Sequence, residues 1–217
     1  AAPVAPPAPR WRRQLLLVVG AVVWLLAFLA LATHHAGDPA FSTSGDGAPV
    51  RNWAGHAGAW LSDLGLFLFG YSVWWLVPVG LRAWLTGLAR SARADDAMAQ
   101  ALPRAAFWGG LALLMAASCA LEWTRLYRWE SLLPGHAGGV LGFTLGPSST
   151  HWLGFAGSGV LWIAALVVGL SLALRFSWLR VAEHVGAWID ALRERRQQRL
   201  AQAEDRRIGE QALVERE

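Results

Sequence analysis

The chain has 217 residues, of which 55% are hydrophobic and 16% charged, and a formal charge of +4. Soluble domains usually carry about a quarter charged residues, so this composition, with its positive mean hydropathy, argues against a soluble domain and for a membrane protein. All nineteen basic residues are Arg, which excludes a phosphate-binding P-loop, whose Lys reaches the phosphates, and Schiff-base chemistry, which needs a Lys amine.

In chain order, residues 1–13 read as a Pro-rich cytoplasmic leader ending in Arg10, Arg12 and Arg13. It is similar to a signal-peptide n-region, but the apolar run that follows is longer than an h-region. Ala30, Ala32 and Ala36 give only a loose cleavage pattern. A hydrocarbon core about 30 Å thick needs about 17 to 25 apolar helical residues, because only a helix satisfies its own backbone there. Four runs qualify within residues 14–175: about 15–32, 64–85, 105–121 and 152–174. The expected fold is therefore an all-α membrane protein with four transmembrane helices. The charge-free span centres argue against a transporter or an intramembrane enzyme, which place ionisable groups in the bundle interior.

Arg placement predicts both ends inside. Arg10, Arg12 and Arg13 precede the first span, Arg82, Arg90, Arg93 and Arg104 flank the second-to-third connection, and Arg175 and Arg180 follow the fourth. The first outside loop has only Arg51; Arg125 and Arg128 in the second are contrary, although Glu122 and Glu130 accompany them there. Trp11, Trp60, Trp84, Trp123, Trp152 and Trp178 fall at span boundaries, where an indole favours the headgroup level. Trp24 and Trp162 sit mid-span and are expected to pack on lipid or neighbouring helices. Pro78 predicts a kink in the second span. Cys119, the single cysteine, reads as a small packing residue.

The loop from Thr33 to Leu61 is rich in Gly, Ser, Asp and Pro and reads as extended or turn-rich. The loop from Glu122 to His151 contains HAGGVLGFTLGP, too short to span, and predicts a short helix at the interface or dipping into the bundle. Ser148, Ser149 and Thr150 offer N-cap oxygens to the fourth span. Gly154, Gly157, Ser158 and Gly159 form a small-residue surface for close helix packing, within the chain or between copies. His34, His35, His56, His136 and His151 follow no metal-ligand spacing, and Asp38, Asp46 and Asp63 read as solvated turn and cap residues, so no catalytic, cofactor or metal residue is expected. Residues 176–192 show an apolar stripe (Trp178, Val181, Val185, Trp188, Ile189, Leu192) and predict an amphipathic juxtamembrane helix. Residues 193–217 are almost wholly Arg, Glu, Gln and Ala and read as a charged helix or the start of a linker.

The stretch GDPAFSTSG, then VRNWAGHAGAWLSDLGLFLFG and LVPVG, resembles the first outside loop and second span of the FtsK family of bacterial DNA translocases. The pattern is carried by Asp38, Pro39, Phe41, Ser42, Asn52, Gly55, Gly58, Ala59, Asp63, Phe69, Gly70 and Pro78. GGVLG and SWLRVAEHVGAWI are similar to that family's third-to-fourth loop and juxtamembrane helix. The resemblance implies a multi-pass anchor in the bacterial inner membrane at the division septum, in contact with lipid and divisome proteins. It also implies a linked hexameric motor that uses ATP and Mg to move DNA. No motor motif is found in this sequence. A stand-alone divisome scaffold is the alternative. Asp38, Pro39, Asn52, Trp53, Gly55, Gly58, Trp60 and Asp63 form the candidate docking loop, with Asp63 expected to cap the second helix and Asn52 and the glycines to shape turns.

Overall fold

The computed structural model describes residues 10–92, 104–174, 183–184 and 186–196. The chain divides into two compact units, residues 1–175 and 176–217. In the first, helices α1 (Arg10–Ala32), α2 (Gly55–Phe69), α3 (Leu76–Ala92), α4 (Arg104–Arg125) and α5 (Gly139–Leu174) follow one another, and no strand occurs among the described residues. Four segments are long and apolar enough to cross a membrane: 14–32, 55–89, 104–125 and 139–174. The fold is an all-α, four-span membrane domain, as the apolar runs predict. Both loops, 33–54 and 126–138, lie at one end of the bundle, here the loop end.

Helix α1 runs antiparallel to α2 and α3 and is held by indole hydrogen bonds. Trp24 Nε1 donates to the Val77 carbonyl at 2.9 Å, and Trp84 Nε1 donates to the Leu17 carbonyl at 2.8 Å. An indole N–H in an apolar medium must find an acceptor, and the helix backbone of a neighbour supplies it. Gly80 lets the Trp24 ring lie against the backbone, and Trp24 in turn stacks on Phe28 at 5.7 Å. The outward face, including Leu16, Val18, Val23 and Leu26, is exposed and apolar, as a lipid-facing surface requires.

The second span differs from its sequence reading in three ways. It starts at Gly55 rather than Leu64, so Asp63 lies inside α2 and caps nothing. Its break falls at Gly70, not at Pro78. Gly70 takes φ 59° and ψ −149°, and a 3-10 segment, Gly70–Trp75, joins α2 to α3. Pro78 sits in the first turn of α3, where its missing N–H leaves no helical bond unmade.

The fourth span is preceded by a re-entrant limb. Helix α5 is broken at Gly154 (φ 67°, ψ 175°), giving one limb over 139–153 and another over 155–174. The first runs alongside α4 in the same direction, with Gly142 against the Cys119 carbonyl and Gly146 against the Trp123 ring. The second returns antiparallel, with Gly159 against Arg125, Gly169 against Leu114, and Leu172 against Gly110. Trp162 Nε1 donates to Ser149 Oγ at 2.9 Å across the reversal. HAGGVLGFTLGP therefore dips into the bundle, as one of its two readings predicts. Ser148, Ser149 and Thr150 are no caps: their hydroxyls bond back to the Thr144 and Gly146 carbonyls. The core is built on Val79, Leu114 and Ala173, with Trp75, Phe107 and Leu170 packed around it.

In the second unit, residues 186–196 are helical, Trp188, Ile189 and Leu192 are exposed, and Arg193 pairs with Asp190 at 3.8 Å. Trp178, Val181, Val185 and the tail from residue 197 lie outside the described residues.

Candidate docking loop and an intramembrane glutamate

The loop 33–54 is irregular yet tightly tied, and its acids are the ties. Asp38 is 2% exposed and accepts the backbone N–H of Arg51 and of Asn52, each at 2.9 Å. Asn52, also buried, donates to the Ala30 carbonyl at 2.8 Å, meeting one of the carbonyls left open at the end of α1. Its Oδ1 accepts the Ala54 N–H at 3.0 Å, the turn expected of it. Asp63 is buried and takes the Ser42 N–H at 2.7 Å and the Ser42 hydroxyl at 3.0 Å, fastening the loop centre to α2. Asp38 and Asp63 are thus buried staples rather than solvated turn residues. The exposed Asp46 pairs with Arg51 at 3.3 Å.

The electrostatics follow from this packing. Burial opposes ionisation of Asp38, but the amides of Arg51 and Asn52 outweigh it and hold the carboxyl below its ordinary value. Burial lowers the pKa of His34, which the nearby Asp63 and Asp38 carboxylates only partly offset; its Nδ1 lies 3.1 Å from Ser62 Oγ.

Of the candidate docking residues, the structure buries Asp38, Asn52, Gly58 and Asp63 and half-buries Pro39 and Gly55. Gly58 has no room for a side chain because Asn52 and Ala54 lie against it. Trp53 is 78% exposed, with its backbone N–H tied to Thr33 Oγ1 at 3.0 Å, and Trp60 is 51% exposed and edge-on to Phe41. The loop is therefore a rigid frame that presents aromatic rings. The small-residue surface does not form one face. Gly154 makes the reversal, Gly157 points outward, and Ser158 and Gly159 are buried in the bundle, Gly159 against Arg125.

A second site escapes the sequence reading. Glu122, read as a loop residue, lies in the last turns of α4 and is 3% exposed. Its Oε1 accepts the Tyr71 N–H, and its Oε2 accepts the Ser72 N–H and hydroxyl, each at 2.9 Å. The Gly70 break strips these amides of helical acceptors, and an unmet N–H in the hydrocarbon region costs several kcal/mol. Ser118, one turn earlier, bonds the Ser72 hydroxyl at 2.8 Å and Trp75 Nε1 at 3.0 Å, and Cys119 Sγ faces the Phe69 carbonyl at 3.3 Å. Glycines permit the crossing. A Cβ at Gly70 would strike Glu122 and Gly138, one at Gly138 would strike Cys119, and one at Gly139 would strike Leu68 and Phe69. The available signal was the run Gly138, Gly142, Gly146, a small residue every fourth position, which marks a helix that approaches another closely.

Arg125, the base that counted against the orientation, also has a structural task. Its guanidinium donates to the Phe155 carbonyl and lies 3.3 Å over the Phe155 ring, clamping the start of the returning limb.

Four spans, a broken second helix, a re-entrant limb and an anchored aromatic loop define a multi-pass helical membrane domain. Residues 9–186 match the family model described as the 4TM region of DNA translocase FtsK/SpoIIIE, and the chain belongs to that family. It is 38% identical over 210 residues to DNA translocase FtsK 2 of Ralstonia nicotianae, covering 92% of this chain and 27% of that protein. It is 30% identical to DNA translocase FtsK 1 of Neisseria meningitidis serogroup B, over 78% of this chain and 22% of that protein. Against DNA translocase FtsK of Pseudomonas putida it is again 30% identical, over 86% and 23%. The chain thus spans about a quarter of the length of the curated relatives it matches. No solved structure matches it.

Proposed function

We propose that this domain anchors an FtsK-type DNA translocase in the bacterial inner membrane at the division septum, coupling cell division to chromosome segregation. The observation that carries the reading is the family match over residues 9–186 among relatives named as DNA translocases. Both ends of the bundle's chain path are cytoplasmic in this reading, in keeping with the Arg distribution and with α1 beginning at the bundle end where α5 finishes. ATP, Mg and DNA belong to a motor joined beyond the anchor, and the motor's hexameric state brings six anchors together. Divisome proteins meet the loop end, where Trp53, Phe41 and Trp60 stand exposed on a rigid frame, the anatomy of an interaction hot spot.

The test is complementation in cells depleted of the native translocase, comparing the motor fused to this domain with the motor fused to an unrelated four-span anchor. Division restored equally by both would end the specific septal role. Trp53→Ala should reduce septal localisation while leaving membrane insertion intact. Labelling of single cysteines in 33–54 from the periplasmic side, and of the tail only after lysis, checks the orientation.

A further inference from the structure

We propose that the cleft beside Glu122 binds a membrane lipid with a primary-ammonium headgroup. The cleft, about 480 Å³, lies where the Gly70–Trp75 segment, α3, α4 and α5 meet. Its lining is graded along the membrane normal. Near the loop end stand Tyr71, Trp74, Trp75 and Trp129, with the Glu122 carboxylate in the wall, and deeper lie Pro78 and Leu166. Trp129 is 60% exposed at the mouth and edge-on to Tyr71 at 6.2 Å.

The chemistry selects the headgroup. Glu122 pairs with no Arg or His among the described residues, since the ion pairs there join Arg51 to Asp46, His136 to Glu130 and Arg193 to Asp190. Both its oxygens act as acceptors, so the wall of the cleft carries negative charge in a medium of low dielectric. Aromatic faces around an anionic wall attract an organic ammonium and repel a phosphate-only headgroup. Glu122 lies one turn short of Arg125, where α4 ends, so the ammonium enters from the loop end of the bundle and an acyl chain runs down past Pro78 and Leu166. An amphiphile with its cationic end toward the loops matches this gradient; a fully apolar occupant leaves the carboxylate without a counter-charge.

The experiment is native mass spectrometry of the 217-residue domain released from nanodiscs holding equal parts phosphatidylethanolamine and phosphatidylglycerol with identical acyl chains. The expected result is retention of phosphatidylethanolamine about threefold or more above phosphatidylglycerol, the low end of what a cation–π contact contributes. Glu122→Gln removes the charge and abolishes the preference. Because that change also touches the helix break, Trp129→Ala at the exposed mouth serves as the independent variant and lowers the preference in a folded domain. Trp152→Ala, exposed on α5 outside the cleft, leaves it unchanged. Equal retention of the two lipids, preference for phosphatidylglycerol, or an unaltered preference in Trp129→Ala overturns the proposal.

Discussion

Glu122→Ala removes the acceptor for two backbone amides, Tyr71 and Ser72. The Ser72 hydroxyl keeps its Ser118 partner. An orphaned buried donor costs about 1–3 kcal/mol, so two amides give about 2–6 kcal/mol. Hydrogen bonds within membranes average only about 0.6 kcal/mol, because the unfolded span finds other partners there. That discount is small here. The amides of Tyr71 and Ser72 cannot return to a regular helix while Gly70 stays at φ 59° beneath Gly138. We therefore expect a loss of about 4 kcal/mol, in the middle of the range for two orphaned donors. Glu122→Gln keeps a carbonyl acceptor for one amide and turns an N–H toward the other, for an intermediate loss of about 1–2 kcal/mol. Reversible unfolding in mixed micelles, followed by Trp fluorescence, reads both. A Glu122→Ala domain within about 0.6 kcal/mol of the parent would refute the capping argument, since that is the average membrane hydrogen bond.

Other expectations follow from the same geometry. Gly138→Ala drives a Cβ into the Cys119 backbone and should prevent a monodisperse domain, whereas Gly154→Ala meets open space and costs only backbone strain of about 1–3 kcal/mol; size-exclusion chromatography and thermal unfolding separate the two. Asp38→Ala frees the Arg51 and Asn52 amides and should raise hydrogen exchange across 33–54 without melting the spans, while Trp53→Ala should change stability by less than about 0.5 kcal/mol. The loop should also loosen in acid. His34 has a lowered pKa, so its stabilisation is whole above the unfolded value of about 6.5 and is lost as pH falls through the folded value; Asp38, also lowered, contributes above about 3.9 and fades below its own folded value. Hydrogen exchange of the loop at pH 7 and pH 5, corrected for intrinsic rates, should show this step, and His34→Gln should flatten it; protection that rises on acidification contradicts the assignment.

The number of spans was legible because hydropathy and helix length are set by the bilayer itself, and the same rule marked the re-entrant segment as too short to span while leaving open whether it lies at the interface or dips into the bundle. The position of the second span's break was not. Pro78 carries the usual kink signal, but in the first turn of α3 it breaks nothing, while Gly70 takes its conformation from Gly138, sixty-eight positions along the chain. Glu122 was misplaced for a similar reason. An acid beside Arg125, Arg128 and Glu130 looks like the start of a polar loop, and only the three-dimensional crossing shows the amides it serves. In the candidate docking loop, residue types were read correctly as turn-formers at Asn52, but burial of Asp38 and Asp63 depends on how the loop folds over α1 and α2. Trp53 and Trp60 were picked out as candidate contacts from residue type and position alone, and the structure leaves both exposed.

The capping of the second span by the third also orders biogenesis. Glu122 leaves the ribosome fifty residues after Ser72, so the second span enters the membrane with two amides unmet. It cannot mature as an independent helix or as a hairpin with α1. The first half of the domain waits in an incomplete form until α4 arrives, and any chain that stalls between Ser72 and Glu122 presents quality control with an exposed, unsatisfied backbone inside the bilayer.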